Sequence, residues 1–175
     1  MTTAPTARAP RPPRPPAPAL PEFDTLDQAH REALQMLQAF EQLLAHLHDN
    51  GPDATAQASA QRIIAFFNGA GRTHHADEER LVFPPLLSGT DVEMIQHVRR
   101  LQQDHGWLEE DWRELSPQVE AIAKGYNWYD LAMLRLALPV FTALHQEHIA
   151  LEEALVYPEA KRRRLAELHG REPKA

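Results

Sequence analysis

His74-His75-Ala76-Asp77-Glu78-Glu79-Arg80-Leu81-Val82-Phe83-Pro84 aligns without a gap on His148-Ile149-Ala150-Leu151-Glu152-Glu153-Ala154-Leu155-Val156-Tyr157-Pro158. Seven of the eleven positions are identical, and an eighth is aromatic in both copies. In each copy a histidine and a glutamate lie four residues apart, so on a helix they share one face about a turn apart. The repeat extends upstream, because His30 lies 44 residues before His74 and His105 lies 43 before His148. Two helical hairpins, each giving a His from its first helix and His-x-x-x-Glu from its second, would pack about an approximate two-fold axis. That arrangement gathers four histidines and two glutamates at the centre of a bundle.

Working outward, four segments carry apolar residues spaced by three and four, and none alternates with a period of two. The spacing predicts helix 1 from about Asp24 or Thr25 to His48, with the stripe Leu26, His30, Ala33, Leu37, Phe40, Leu44 and Leu47, ended by Asn50-Gly51-Pro52. Helix 2 opens near Asp53 and carries Ala60, Ile63, Phe67, Ala70, His74, Glu78 and Leu81, with Pro84-Pro85 as its expected stop. Helix 3 opens at Thr90 or Asp91 and closes at Gly125, and Pro117 should kink or interrupt it. Helix 4 follows Asn127 with Leu131, Leu134, Leu138, Phe141, His145, His148, Glu152 and Leu155, bent at Pro139 and ended by Pro158. Short polar connections between helices of this length imply an all-α, up-down-up-down antiparallel four-helix bundle.

The chain has 175 residues, 43% of them apolar, enough for one domain with a real core. Eight of the 15 prolines fall in residues 1–21, whose only charges are Arg8, Arg11 and Arg14, so this stretch reads as a disordered arm. The bundle occupies residues 22–160, and a basic tail follows over 161–175 with a brief helix expected around 161–168. No signal peptide and no apolar run of 18 residues is found, so a cytoplasmic protein is expected, with no membrane as partner. The body holds 23 acidic and 9 basic side chains, which repels phosphate backbones and argues against nucleic acid. The run Lys161 to Arg164 reads as a solvated helix end.

Cysteine is absent, so any metal must be held by nitrogen and oxygen. Glu78 and Glu152 sit on the apolar stripes, where an unpaired buried carboxylate costs several kcal/mol, and a cation is the simplest compensation. The candidate ligands are His30, His74, Glu78, His105, His148 and Glu152. Four imidazoles and two carboxylates suit iron, manganese or zinc better than calcium or magnesium. If both carboxylates bridge, each of two metals receives two nitrogens and two oxygens, and an oxo or hydroxo bridge leaves a position open for dioxygen, nitric oxide or peroxide. His75, Glu79 and Glu153 lie one residue off the stripe, and they and Glu109 are expected at outer positions beside the ligands. His145 shares the stripe and is expected to hydrogen-bond outward of them. His46, His48, His97 and His169 read as solvated, and Trp107, Trp112, Tyr126, Trp128 and Tyr129 as packing residues. Leu101, four residues before His105, is expected to leave the neighbouring metal one nitrogen short.

The order His30, His74-x-x-x-Glu78, His105, His148-x-x-x-Glu152 resembles the hemerythrin-like (HHE cation-binding) family over about residues 22–160. The resemblance implies a four-helix bundle with a non-haem centre of two iron ions, oxo- or hydroxo-bridged and spanned by Glu78 and Glu152; other divalent metals fit the same donors. Oxygen-carrying members typically have a His-x-x-x-His pair on the third helix, and Leu101 stands in that place here. The set is more similar to the branch with iron-centre repair proteins and iron- or oxygen-sensing domains. The expected function is binding or sensing of dioxygen or nitric oxide in oxidative or nitrosative stress. The alternatives are an iron donor or a consumer of peroxide or nitric oxide, and an iron-dependent interaction module with an unknown protein partner. Ferritin-like oxidases are disfavoured, because no glutamate precedes a histidine by three.

Overall fold

A computed structural model of the chain describes residues 19–170, and they form four long helices. Most of the arm expected over residues 1–21, and the end of the basic tail, lie outside the described residues. Helix α1 spans Pro21–Asn50, so Pro21 is the first residue of a helix rather than the last of an arm. A proline suits that place because the first amides of a helix have no partner within it. Helix α2 covers residues 54–87, α3 spans Val92–Ala123, and α4 covers residues 131–170. Asp53, Asp91 and Asp130 open the last three, each accepting a backbone N–H three residues on at 2.9 to 3.0 Å. Each helix packs on its two neighbours, α1 on α2 and α4, α3 on α2 and α4, as an antiparallel four-helix bundle does.

Two apolar clusters fill the interior. One gathers Leu37, Phe40, Ile63, Phe67, Trp112 and Phe141, and the other gathers Phe23, Leu26, Phe83, Val98, Leu101 and Tyr157. The buried polar residues of the repeat lie between them in sequence on every helix: His30 between Leu26 and Ala33, His105 between Leu101 and Leu108.

Helices α2 and α4 are not plain α-helices. Helix α2 widens into π turns at Phe66–Ala70 and Glu78–Val82, and α4 does so at Glu152–Val156. Each π turn takes up one extra residue and rotates the buried face. Periodicity places Ala70, Leu81 and Leu155 on the core stripe, yet all three are exposed, and Phe66, Val82 and Val156 are buried in their stead. The same turns explain why the prolines do not end these helices. The N–H of Phe83 bonds to the carbonyl of Glu78, and that of Tyr157 to Glu152, five residues back. Pro84 and Pro158 therefore come where the regular ladder has already slipped, and each helix runs on, to Leu87 and Gly170. Pro117 and Pro139 stand inside uninterrupted helices on the exposed face, where water can reach the carbonyls they leave without a donor.

The basic run is less solvated than its composition suggests. Lys161 Nζ pairs with Asp27 at 3.0 Å, Arg164 with Glu22 at 3.4 Å, and Arg163 donates to the Pro85 carbonyl at 2.7 Å. These contacts tie the end of α4 to α1 and to the end of α2. No helix among the described residues is long and apolar enough to cross a membrane.

The rotated faces can be tested by truncation. Val82→Ala and Val156→Ala should each lower unfolding stability by about 1–3 kcal/mol, as loss of buried methyl groups does. Leu81→Ala and Leu155→Ala should lower it by about 0.5 kcal/mol or less. Urea midpoints of the four variants measure this, and the reverse ranking would place the leucines in the core.

Candidate metal centre

All four helices bring titratable side chains to one buried layer. Helix α1 supplies His30, α2 supplies His74, His75 and Glu78, α3 supplies Asp104 and His105, and α4 supplies His148 and Glu152. Glu78 and Glu152 are both completely buried, and each begins one of the π turns. His30 Nε2 lies 3.1 Å from Glu152 Oε2 and 3.9 Å from Glu78 Oε1. His74 Nε2 and His105 Nε2 approach Glu78 Oε2 at 3.4 and 3.3 Å, and His148 Nε2 approaches Glu152 Oε1 at 3.3 Å. Each carboxylate therefore faces imidazoles from both hairpins.

Two groups of four offer ligand atoms that all lie within 4.8 Å of one another: His30, His74, Glu78 and Glu152, and His75, Glu78, His105 and His148. Glu78 belongs to both. The six residues expected as ligands are thus brought together, and His75 joins them. Its ring stacks on that of His105, centroids 4.2 Å apart, rather than standing on the helix flank. The reading from periodicity put His75 outside because it assumed 3.6 residues per turn on both sides of it, and the flanking π turns break that count. Leu101 is buried in the apolar cluster as its position requires, but the nitrogen it lacks is matched in this group by His75.

The outer positions also differ in detail. His30 Nδ1 lies 3.1 Å from Glu153 Oε1 and His105 Nδ1 lies 3.1 Å from Glu79 Oε1, with Gln102 donating to the other Glu79 oxygen at 2.7 Å. An Nδ1–H given to a carboxylate leaves Nε2 as the lone pair facing inward. His145 instead donates Nδ1–H to the carbonyl of Phe141, four residues back on its own helix, at 3.0 Å, because helical side chains lean toward the preceding turn. Glu109 is half exposed and accepts from Arg72 at 2.9 Å, so it borders the site without touching a donor.

Two residues were not singled out from sequence. Asp104 is buried, with Oδ2 3.7 Å from His148 Nδ1 and 3.8 Å from Arg100 Nε. Its signal was its place on the face shared by Leu101, His105 and Leu108. Tyr157 donates its hydroxyl to Glu78 Oε1 at 2.5 Å, lies 3.2 Å from His30 Nε2, and stacks flat on the His30 ring. Its counterpart in the repeat, Phe83, stacks on His105 and has no hydroxyl. Burial, reinforced by the charge of Glu78, keeps the Tyr157 phenol protonated.

Among the described residues, the buried side-chain atoms without a hydrogen-bond partner are concentrated here. They include His74 Nδ1, Glu78 Oε2, His105 Nε2, both ring nitrogens of His148 and both oxygens of Glu152. Each such atom costs about 1–3 kcal/mol, so the layer is unstable as a purely organic arrangement. A cation satisfies the inward-facing lone pairs among them at once, and the donor set fits one. Burial and the charge of Glu78 push Glu152 above the ordinary carboxylate range. Burial pushes His74 down to about 4, so its imidazole is neutral and able to bind metal at ordinary pH.

The histidines also set a pH dependence for the metal-free protein. Burial holds both His74 and His145 at about 4, below the ordinary 6.5 of an unfolded chain. Between those values the unfolded chain binds more protons, so stability should fall as pH drops from about 6.5 to 4, by roughly 1–3 kcal/mol per histidine. Urea titrations of chelator-treated protein across this range measure the slope. His145→Leu should flatten it, and an unchanged slope would remove His145 from this account.

The chain matches the family model described as the hemerythrin HHE cation binding domain over residues 22–160. It is 30% identical over 111 residues to a Haemophilus influenzae (strain ATCC 51907 / DSM 11121 / KW20 / Rd) protein described as "Uncharacterized protein". That alignment covers 63% of this chain and 62% of the relative, so it spans less than two thirds of the relative's length. No solved structure matches. With the match covering nearly the whole bundle, the chain belongs to the hemerythrin HHE cation-binding domain family.

Proposed function

We propose that the chain is a non-haem di-iron protein that binds or senses dioxygen or nitric oxide. The observation that carries this reading is the pair of four-donor groups meeting at Glu78. His30, His74 and Glu152 would hold one ion and His75, His105 and His148 the other, with Glu78 within reach of both. Iron supplies reversible redox chemistry and coordination positions for a diatomic ligand. The residues around it do the rest. The carboxylates of Glu79 and Glu153 fix the rings of His105 and His30 by holding Nδ1–H, and Tyr157 holds a proton against Glu78 Oε1. The apolar clusters on either side exclude water from most of the layer's surroundings. The reading extends to a role in oxidative or nitrosative stress in a cytoplasmic setting, in keeping with a site that takes such ligands.

Metal analysis of protein purified without added metal, from iron-replete cells, should find two iron atoms per chain; one zinc, or no metal, would remove the di-iron reading. Glu78→Ala and Glu152→Ala should lose most of the iron, whereas Glu79→Ala and Glu153→Ala should keep it with weaker affinity, by about tenfold to a hundredfold. Tyr157→Phe should keep both irons but shift the near-ultraviolet spectrum and the affinity for nitric oxide. Essential outer glutamates with dispensable inner ones would overturn the assignment of ligands.

A further inference from the structure

A cavity of about 360 Å³ adjoins the imidazole layer and opens between α2 and α3. A diatomic molecule is about the size of a water, which occupies roughly 30 Å³ of liquid, so even with the space between the imidazoles set aside for ions the cavity has room for several such ligands. It falls instead in the range of sites for small organic molecules, roughly 300–1,000 Å³. His30, His74, His75, His105 and His148 are among its lining residues.

The walls define what fits. Phe67, Trp112 and Phe141 line the cavity and pack on one another with ring centroids 4.8 to 6.2 Å apart. Such faces and edges favour another aromatic ring. The charged groups at the opening are already matched: Arg72 is paired with Glu109 at 2.9 Å. The indole N–H of Trp112 is given to Asn68 Oδ1 at 2.8 Å. An ionised ligand would therefore find no free counter-charge on these groups. His145 also lines the cavity, and because its Nδ1–H is given to the Phe141 carbonyl, its Nε2 is left as an acceptor for a single hydroxyl.

The opening is kept clear by Gly106. It lies within helix α3, where glycine is less favourable than alanine. A Cβ placed there meets nothing within 4 Å, so close packing does not require glycine at this position. Its residue is exposed and borders the cavity, and a large side chain would project over the mouth.

We infer that this cavity is a binding site for an uncharged aromatic molecule bearing a hydroxyl, of phenol to naphthol size, held next to the metal layer. The inference deepens the reading of the same site, but its binding test does not depend on which diatomic, if any, the irons take. The probe is 2-naphthol, with naphthalene-2-sulfonate as its charged analogue, titrated calorimetrically into the full-length protein as purified. Naphthol should bind one per chain, at least tenfold tighter than the sulfonate. Gly106→Phe should weaken naphthol binding at least tenfold with melting temperature and metal content unchanged, whereas Gly106→Ala should bind as the unsubstituted protein does. No naphthol binding, equal affinity for the sulfonate, or binding indifferent to Gly106→Phe in a folded, metal-replete variant would each overturn the proposal. Metal analysis and nitric oxide titration of the same samples report separately on the di-iron reading.

Discussion

Glu78 and Glu152 are two carboxylates taken fully out of water within one layer, and the rest of the bundle is arranged around that demand. Two buried negative charges repel each other and forgo hydration worth several kcal/mol each. Imidazoles from all four helices meet them, and even so most of the layer's inner lone pairs are left without a donor. Only a positive ion of small radius and several coordination positions can answer all of them together. Holding such an ion couples the four helices directly, since no helix can leave the bundle without withdrawing a donor.

The π turns are how the backbone meets this demand. A regular helix would carry Leu81 and Leu155 inward one turn after the glutamates and would point Val82 and Val156 aside. Widening the turn at Glu78 and again at Glu152 reverses this, and it also swings Phe83 and Tyr157 over the rings of His105 and His30. One irregularity thus seats a carboxylate and closes one side of the imidazole layer with an aromatic ring, in both halves of the repeat.

The bundle, the caps at Asp53 and Asp91 and the gathering of the six repeated side chains were legible because they depend on spacing that survives local distortion, whereas the openings of the first and last helices lay three or four residues from where the pattern put them. His30 to His74 and His105 to His148 are separations along the chain, and each His-x-x-x-Glu pair runs up to the first residue of a π turn. What escaped was whatever depended on the phase of the helix beyond those turns: His75, the exchange of Leu81 for Val82, and the continuation past Pro84 and Pro158. Asp104 escaped for a different reason. An aspartate on an apolar face carries no pattern of its own, and its proximity to His148 belongs to the packing of α3 on α4.

The two halves of the centre are not equivalent, and the repeat itself shows where they diverge. Of its four non-identical positions, two point at the site: His75 answers to Ile149, and Phe83 to Tyr157. The first pair adds a nitrogen to the group around His105 and His148 and leaves an apolar wall, Ile149, in the matching place. The second adds a phenol beside His30 and leaves a bare ring beside His105. One group therefore has three nitrogens and no hydroxyl within reach, and the other has two nitrogens with a hydroxyl donor on the shared carboxylate. Each group has four donors, but one holds a single carboxylate and the other two, so cations held in them would sit in unequal fields. The cavity meets residues of both groups, His30 and His74 of one and the stacked His75 and His105 of the other. The two differences that break the repeat thus make the layer asymmetric, one placing an imidazole against His105 beside the cavity and the other a hydroxyl on the shared carboxylate.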